Sequence, residues 1–318
     1  MKLRSKLILT VSLSCMGAGL LLAGAGALCG GVPGILISSE GFQPASRSEE
    51  PYILEKTQID PFSAAEMDLS CSADIQILSS DDGNCYLEYL LDGSGQEPSW
   101  EVSGGRLVLT KQSRSRGGVF LFGTDIFSRD ANPRVRLYLP EGSVLSDLEI
   151  TSSYGDFSCS ALSAEAADIH MDYGDLTLSG STFGTLSLDL GSGDTDIRET
   201  TADTLVLSSE YGNCTLRKMT VKDADIELEY GNFDLEASGL QTLNGTSEYG
   251  DISLILSDGA AGYSYRLSTE YGDISLPGSV PGRILRDEDG EPFFEREESS
   301  GKSITFTTEY GNISIGDQ

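Results

Sequence analysis

Hydrophobic and polar residues alternate with a period of two over much of this chain, and from residue 154 the alternation itself recurs every 19 residues. Phe157 and Cys159, Leu176 and Leu178, Thr195 and Ile197, Cys214 and Leu216, Phe233 and Leu235, and Ile252 and Leu254 occupy one phase of it. That spacing predicts a short strand with one buried face. A longer strand precedes it, with Ala167, Ile169 and Met171, then Leu186, Leu188 and Leu190, then Ala224, Ile226 and Leu228 on the inward side. A third, shorter apolar side runs through Ala164, Phe183, Ala202, Val221 and Leu240.

Between the long and short strands stands Tyr154-Gly155-Asp156, repeated as Tyr173-Gly174-Asp175, Tyr211-Gly212-Asn213, Tyr230-Gly231-Asn232 and Tyr249-Gly250-Asp251. Ser192-Gly193-Asp194 fills the remaining place, and Tyr271-Gly272-Asp273 and Tyr310-Gly311-Asn312 follow at wider spacing. One unit cannot bury its own apolar face, but units stacked about 4.8 Å apart pair each strand with its successor and enclose a continuous interior. The pattern predicts an all-β fold, a single-stranded parallel β-solenoid with coils of about 19 residues, preceded by an N-terminal membrane helix. At the corner, Gly admits unusual backbone angles and Asp or Asn hydrogen-bonds its own turn. Parity continues the inward series Ala167, Ile169 and Met171 into Tyr173, so the tyrosines read as a structural column. An exposed aromatic ladder that binds sugars is the alternative.

Regular coils span residues 151–276. Looser strands in 55–150, such as Ala73 to Leu78, Tyr86 to Leu90 and Arg134 to Leu139, read as irregular opening coils of the same solenoid. The Pro-, Gly- and acid-rich stretch 277–303 reads as a loop inserted before a final coil at 304–318. Upstream, 40–54 is a linker. Residues 1–39 begin with Lys2, Arg4 and Lys6 and continue through 33 uncharged residues, Leu7 to Ser39. This is the signature of an export signal or a transmembrane anchor with its N-terminus inside. The run exceeds the roughly 20 residues that span a bilayer, while Ala25, Gly26 and Ala27 offer a cleavage site. The expected location is the cell membrane, single-pass with an extracytoplasmic C-terminal body, or outside the cell if the segment is removed.

Charge narrows the partners. Fifty Asp and Glu against 21 Lys and Arg give a net −29, which repels nucleic acid and suits metal cations or basic partners. Of six cysteines, Cys71 and Cys85 flank a predicted strand and turn and are placed to pair in an oxidising compartment, whereas Cys159 and Cys214 fall at core positions. No Cys-x-x-Cys or Cys/His metal spacing occurs.

The N-terminal apolar segment, the strand Ala73 to Ile77, the strand Arg134 to Pro140 and the Tyr-Gly-Asp/Asn coils together resemble the bacterial Toastrack family of adhesin-like proteins, over roughly residues 55–318. The resemblance implies a non-enzymatic envelope protein, linked in many members to membrane-stress sensing, and it carries over no catalytic residue.

Few constellations suggest chemistry. His170 is the only histidine, and parity turns it outward beside Asp168 and Asp172, without a nucleophile to activate. Arg198 and Arg217, one period apart near Asp194 and Asp196, are what a solenoid polysaccharide lyase would use, and this is the remote enzymatic alternative. Catalysis is not expected. Acids preceding the tyrosines form an outward column in which Glu210, Glu229, Glu248 and Glu270 are the candidate Ca²⁺ ligands, since carboxylate oxygens suit that ion; no other cofactor is indicated. Residues 106–136 reverse the charge, with Arg106, Lys111, Arg114, Arg116, Arg129, Arg134 and Arg136 surrounding an apolar Gly-flanked segment that contains Phe120 and Phe122. Arg114, Arg116, Phe120 and Phe122 are the expected contacts with anionic lipid or a partner groove, a structural hairpin being the plainer reading. These features point to a binding or sensing module that assembles with another envelope protein, with a surface adhesin or cation-dependent binder as the alternative.

Overall fold

The computed structural model describes residues 50–93, 95–112 and 132–317, together with Gly19 and the backbone of 35–38, 41–44 and 119–120. The chain divides into two compact units, one comprising 1–51 and 114–131, the other 52–113 and 132–318.

The larger unit is a stack of β coils. In a representative coil, the long strand Thr182–Ser192 bends near Gly184, so that Phe183 points inward on a short side and Leu186, Leu188 and Leu190 on the next. The chain turns at Gly193-Asp194, and Thr195–Arg198 forms the short strand with Thr195 and Ile197 inward. Each strand pairs in parallel with the same strand one coil away, in unbroken 19-residue register: Leu186 opposes Ala167 on one side and Leu205 on the other. Stacked identical positions make the core a set of apolar columns, for example Phe157, Leu176, Thr195, Cys214, Phe233 and Ile252, all buried. This is the predicted parallel solenoid, and the described residues of this unit are all-β apart from one 3₁₀ turn at Ala260–Gly262.

Coil order departs from chain order at both ends. Ala64–Ser72 and Asp74–Ser80 form the coil that pairs with Asp147–Tyr154 and Phe157–Ser160. Beyond it lie Arg106–Gln112 and Arg134–Pro140, also parallel, although they follow it in sequence. Antiparallel strands then close this end, Ser99–Ser103 on the first and Cys85–Leu91 followed by Tyr52–Ile59 on the second. Thus Tyr52–Leu54, assigned above to a linker, already belong to a strand. At the other end, Thr242–Tyr249 pairs with Ser303–Tyr310 rather than with Ser264–Tyr271. Ser264–Tyr271 stacks outside Ser303–Tyr310 and is covered by the antiparallel strand Pro292–Arg296. The segment expected to be the final coil therefore lies one place inside the stack, and part of the expected loop 277–303 is the cap.

In the smaller unit, Ile35–Ser38 pairs antiparallel with Gly41–Pro44 and with Val119–Phe120. Four residues of the expected membrane segment are thus in a strand; the rest of it, Gly19 apart, lies outside the described residues. Among the described residues no helix is long and apolar enough to cross a membrane.

Candidate functional site: the tyrosine edge

The corner motif is built by two steric and hydrogen-bonding ladders. Its glycines adopt φ near +126° to +148° from Gly155 to Gly250, where L side chains are strained, and a Cβ on Gly250 would sit 1.9 Å from the carbonyl oxygen of Gly231. Glycine is required twice over. The following Asp or Asn accepts, through Oδ1, the backbone N–H of its counterpart in the next coil. Asp74 accepts from Asp156 at 3.1 Å, Asp156 from Asp175 at 2.9 Å, Asp175 from Asp194 and Asp194 from Asn213 at 2.8 Å. The series continues from Asn232 to Asn213, Asp251 to Asn232, Asn312 to Asp251 and Asp273 to Asn312. The expected bond within the turn is replaced by one between coils.

These ladders carry the tyrosines outward. Tyr173 ends its strand, and the bend at Gly174 breaks the alternation, so Met171 is buried while Asp172 and Tyr173 are both exposed. All seven motif tyrosines are exposed, which corrects the inward column inferred from parity: period two holds only while the backbone stays extended. Their rings stack nearly parallel. Tyr154 and Tyr173 are 5.1 Å apart between centroids, and a longer run joins Tyr211, Tyr230, Tyr249, Tyr310 and Tyr271 at 4.7 to 5.0 Å. Each such pair adds roughly 0.5–1.5 kcal/mol beyond burial. The faces are therefore mostly used by neighbouring rings, and edges and hydroxyls meet solvent.

Beside the rings runs the acid column. Glu210, Glu229, Glu248 and Glu270 are exposed, one per coil, with Glu309 between Glu248 and Glu270 in the stack. Among the described residues no group of three or more His, Cys, Asp or Glu is arranged to hold a metal ion. His170 points outward as expected but is half-buried, and its nearer partner is Asp189 of the next coil, 2.8 Å from Nδ1, with Asp172 3.3 Å from Nε2. Arg198 pairs with Asp196, and Arg217 opposes Arg198 in register.

The basic segment 106–136 is divided by the fold. Arg106 reaches Asp147 at 2.5 Å and Glu66 at 3.5 Å, while Arg136 bonds Gln76 and Glu88. Lys111 is buried; its Nζ donates to the Gln96 carbonyl at 2.7 Å, lies 3.7 Å from Asp92 and caps the Tyr52 ring. A buried ammonium is tolerated only with such compensation. These residues serve the fold. Arg114, Arg116, Phe122 and the Phe120 side chain lie outside the described residues. Cys71 and Cys85 are free, buried thiols rather than a pair, and so are Cys159 and Cys214.

The family model named Toastrack DUF4097 matches residues 64–316, which takes in the corner ladders and all seven tyrosines. The chain belongs to the Toastrack family. No curated protein matches it. Among solved structures, a "putative adhesin" from Parabacteroides distasonis is 13% identical, with 85% of this chain and 98% of that one covered and a TM-score of 0.48. A "putative lipid binding protein" from the same species is 16% identical, covering 85% and 97% at a TM-score of 0.46. A "putative adhesin" from Bacteroides fragilis is 11% identical, covering 84% and 97% at 0.40. In this Toastrack chain, sequence reasoning found the motif and missed its exposure; the signal was the paired run of acid then tyrosine, polar-polar at the strand end.

Proposed function

We propose that this chain is a non-catalytic binding module of the bacterial cell envelope, tethered through residues 1–39 with its body on the extracytoplasmic side, and engaged in sensing or assembly with another envelope protein. The observation that carries this reading is the tyrosine edge, an exposed aromatic ladder held in register by backbone-deep ladders and flanked by carboxylates. Tyrosine combines a large rigid contact area with a hydrogen-bonding tip and is enriched at protein interfaces. A rigid surface loses little conformational freedom on binding. The adhesin reading through sugar binding is weaker, because a sugar ring stacks on an aromatic face and most of these faces are already covered. Membership of the Toastrack family supports an envelope role.

Crosslinking in intact cells, followed by identification of the captured protein, tests it. Wild type should capture a membrane protein of its own cell, and Tyr230→Ser with Tyr249→Ser should lose it without loss of folding. Capture unchanged by these substitutions would remove the tyrosine edge from the mechanism. Digestion of the body by protease added to intact cells tests the topology.

A further inference from the structure

The tyrosine ladder is interrupted once. Ser192 opposes Tyr173 on one side and Tyr211 on the other, so those rings face each other across two strand spacings, about 9.6 Å. Exposure shows the gap to be open. Tyr230, Tyr249 and Tyr310, sandwiched on both faces, are 40%, 38% and 41% exposed, whereas Tyr154 and Tyr271, which end the stack, are 54% and 64% exposed. Tyr173 and Tyr211 are 52% and 51% exposed, as rings with one bare face should be. The same coil also lacks the column's carboxylate. Gly191 stands in its place, and a Cβ there would come within 2.6 Å of the Asp172 carbonyl oxygen. Between the two rings the edge is therefore floored by backbone and a hydroxymethyl group. Exposed carboxylates flank it: Asp172 and Glu210, adjacent in sequence to the two tyrosines, and Asp189 in the gap's own coil, with Asp172 and Asp189 also meeting the His170 imidazole.

We propose that the gap at Ser192 is a slot for the guanidinium group of an arginine on a basic partner protein, held between the bare faces of Tyr173 and Tyr211 and paired with the flanking carboxylates. This rests on the tyrosine edge being an interaction surface and names the chemistry that it recognises. A guanidinium is flat, always charged and weakly hydrated, stacks on aromatic faces and presents in-plane donors to carboxylates. It fills one ring's place at the spacing of the existing ladder. A lysine ammonium is compact and strongly hydrated and meets one ring at a time. A neutral aromatic ring would fill the space but bring no positive charge to these carboxylates, in a protein of net charge −29.

Titration of the purified full-length protein, labelled with 3-fluorotyrosine, against acetyl-Gly-Arg-Gly-amide and its lysine counterpart tests the slot by ¹⁹F NMR. Tyr173→Phe and Tyr211→Phe assign the two signals. The arginine peptide should shift both, with an affinity about tenfold above that of the lysine peptide. Ser192→Tyr completes the ladder and should abolish the response while raising the unfolding temperature. Equal responses to the two peptides, or a response that survives in Ser192→Tyr, would overturn the proposal. If Ser192→Tyr does not fold, Tyr173→Ser removes one wall, and an undiminished arginine response there overturns it equally. The titration needs no cellular partner, so its failure overturns the slot alone; the broader reading fails separately, through unchanged capture by the Tyr230 and Tyr249 variants.

Discussion

Tyr249 stacks face to face on Tyr310, with centroids 4.8 Å apart and planes 3° apart, although Tyr271 is the next copy of the motif along the chain. Tyr271 lies on the far side of Tyr310, 4.7 Å away. The C-terminal coil is thus an internal layer, and the coil made before it closes on top.

Truncation should reveal that order. In a solenoid stacked in chain order, ending the protein after Gly301 would cost one terminal coil, since each repeat contacts only its neighbours. Here it removes the layer between Thr242–Tyr249 and Ser264–Tyr271. Hydrogen exchange should therefore show loss of protection across 264–275 and along 242–256, not only at the new terminus.

Gly250→Ala should destabilise the protein by at least about 2 kcal/mol, from positive-φ strain and from collision with a neighbouring backbone that cannot yield without breaking strand register. Gly180→Ala is the comparison: φ is +58° but nothing lies within 4 Å of its added Cβ, so strain alone should cost about 1 kcal/mol. Denaturant titration distinguishes them, and equal losses would refute the steric argument.

Ala161→Gly should stabilise. The turn after the short strand is left-handed at Ala161, Gly180, Glu199 and Lys218, with φ between +51° and +58°. Glycine occupies only one of the four places. Relieving a left-handed alanine offers about 1–2 kcal/mol, less the roughly 0.5–1 kcal/mol of added unfolded-chain entropy, so a net gain of up to about 1.5 kcal/mol should appear in thermal unfolding.

Stability should fall at alkaline pH. Burial pushes the Cys159 thiol up to about 12, and burial, helped by the nearby Asp92 and Asp68 and opposed by Lys111, does the same to Cys71. Tyr263 is raised to about 12 in the same way. The folded chain keeps these protons where the unfolded chain has lost them. Their contribution is therefore complete below the ordinary thiol range near 8.5 and is lost as pH rises toward 12. Cys71→Ala with Cys159→Ala should show a shallower decline in unfolding temperature between pH 8 and 11; an unchanged slope would assign the effect to other groups. In the folded protein at pH 8, the four described thiols should resist alkylation.

By itself the sequence determined the coil. A 19-residue period of inward Leu, Ile, Phe and Ala is a local pattern repeated, and repetition leaves parallel stacking as the way to bury every copy. The glycine and the Asp or Asn of the corner were legible for the same reason, as residue types that a turn demands. Only the tertiary structure decided where each tyrosine points, because a corner changes the backbone direction and period-two parity cannot be carried across it. Only it decided that Asp194 bonds Asn213 rather than its own turn, that Lys111 is an internal cation, and that 303–317 slips inside 264–275. Each of these depends on which surface of one coil meets another, a relation between segments distant in sequence that no local pattern encodes. The bare faces at Ser192 belong to both accounts: the missing tyrosine stands in the sequence, but that its absence leaves two exposed rings opposed follows from the stacking alone.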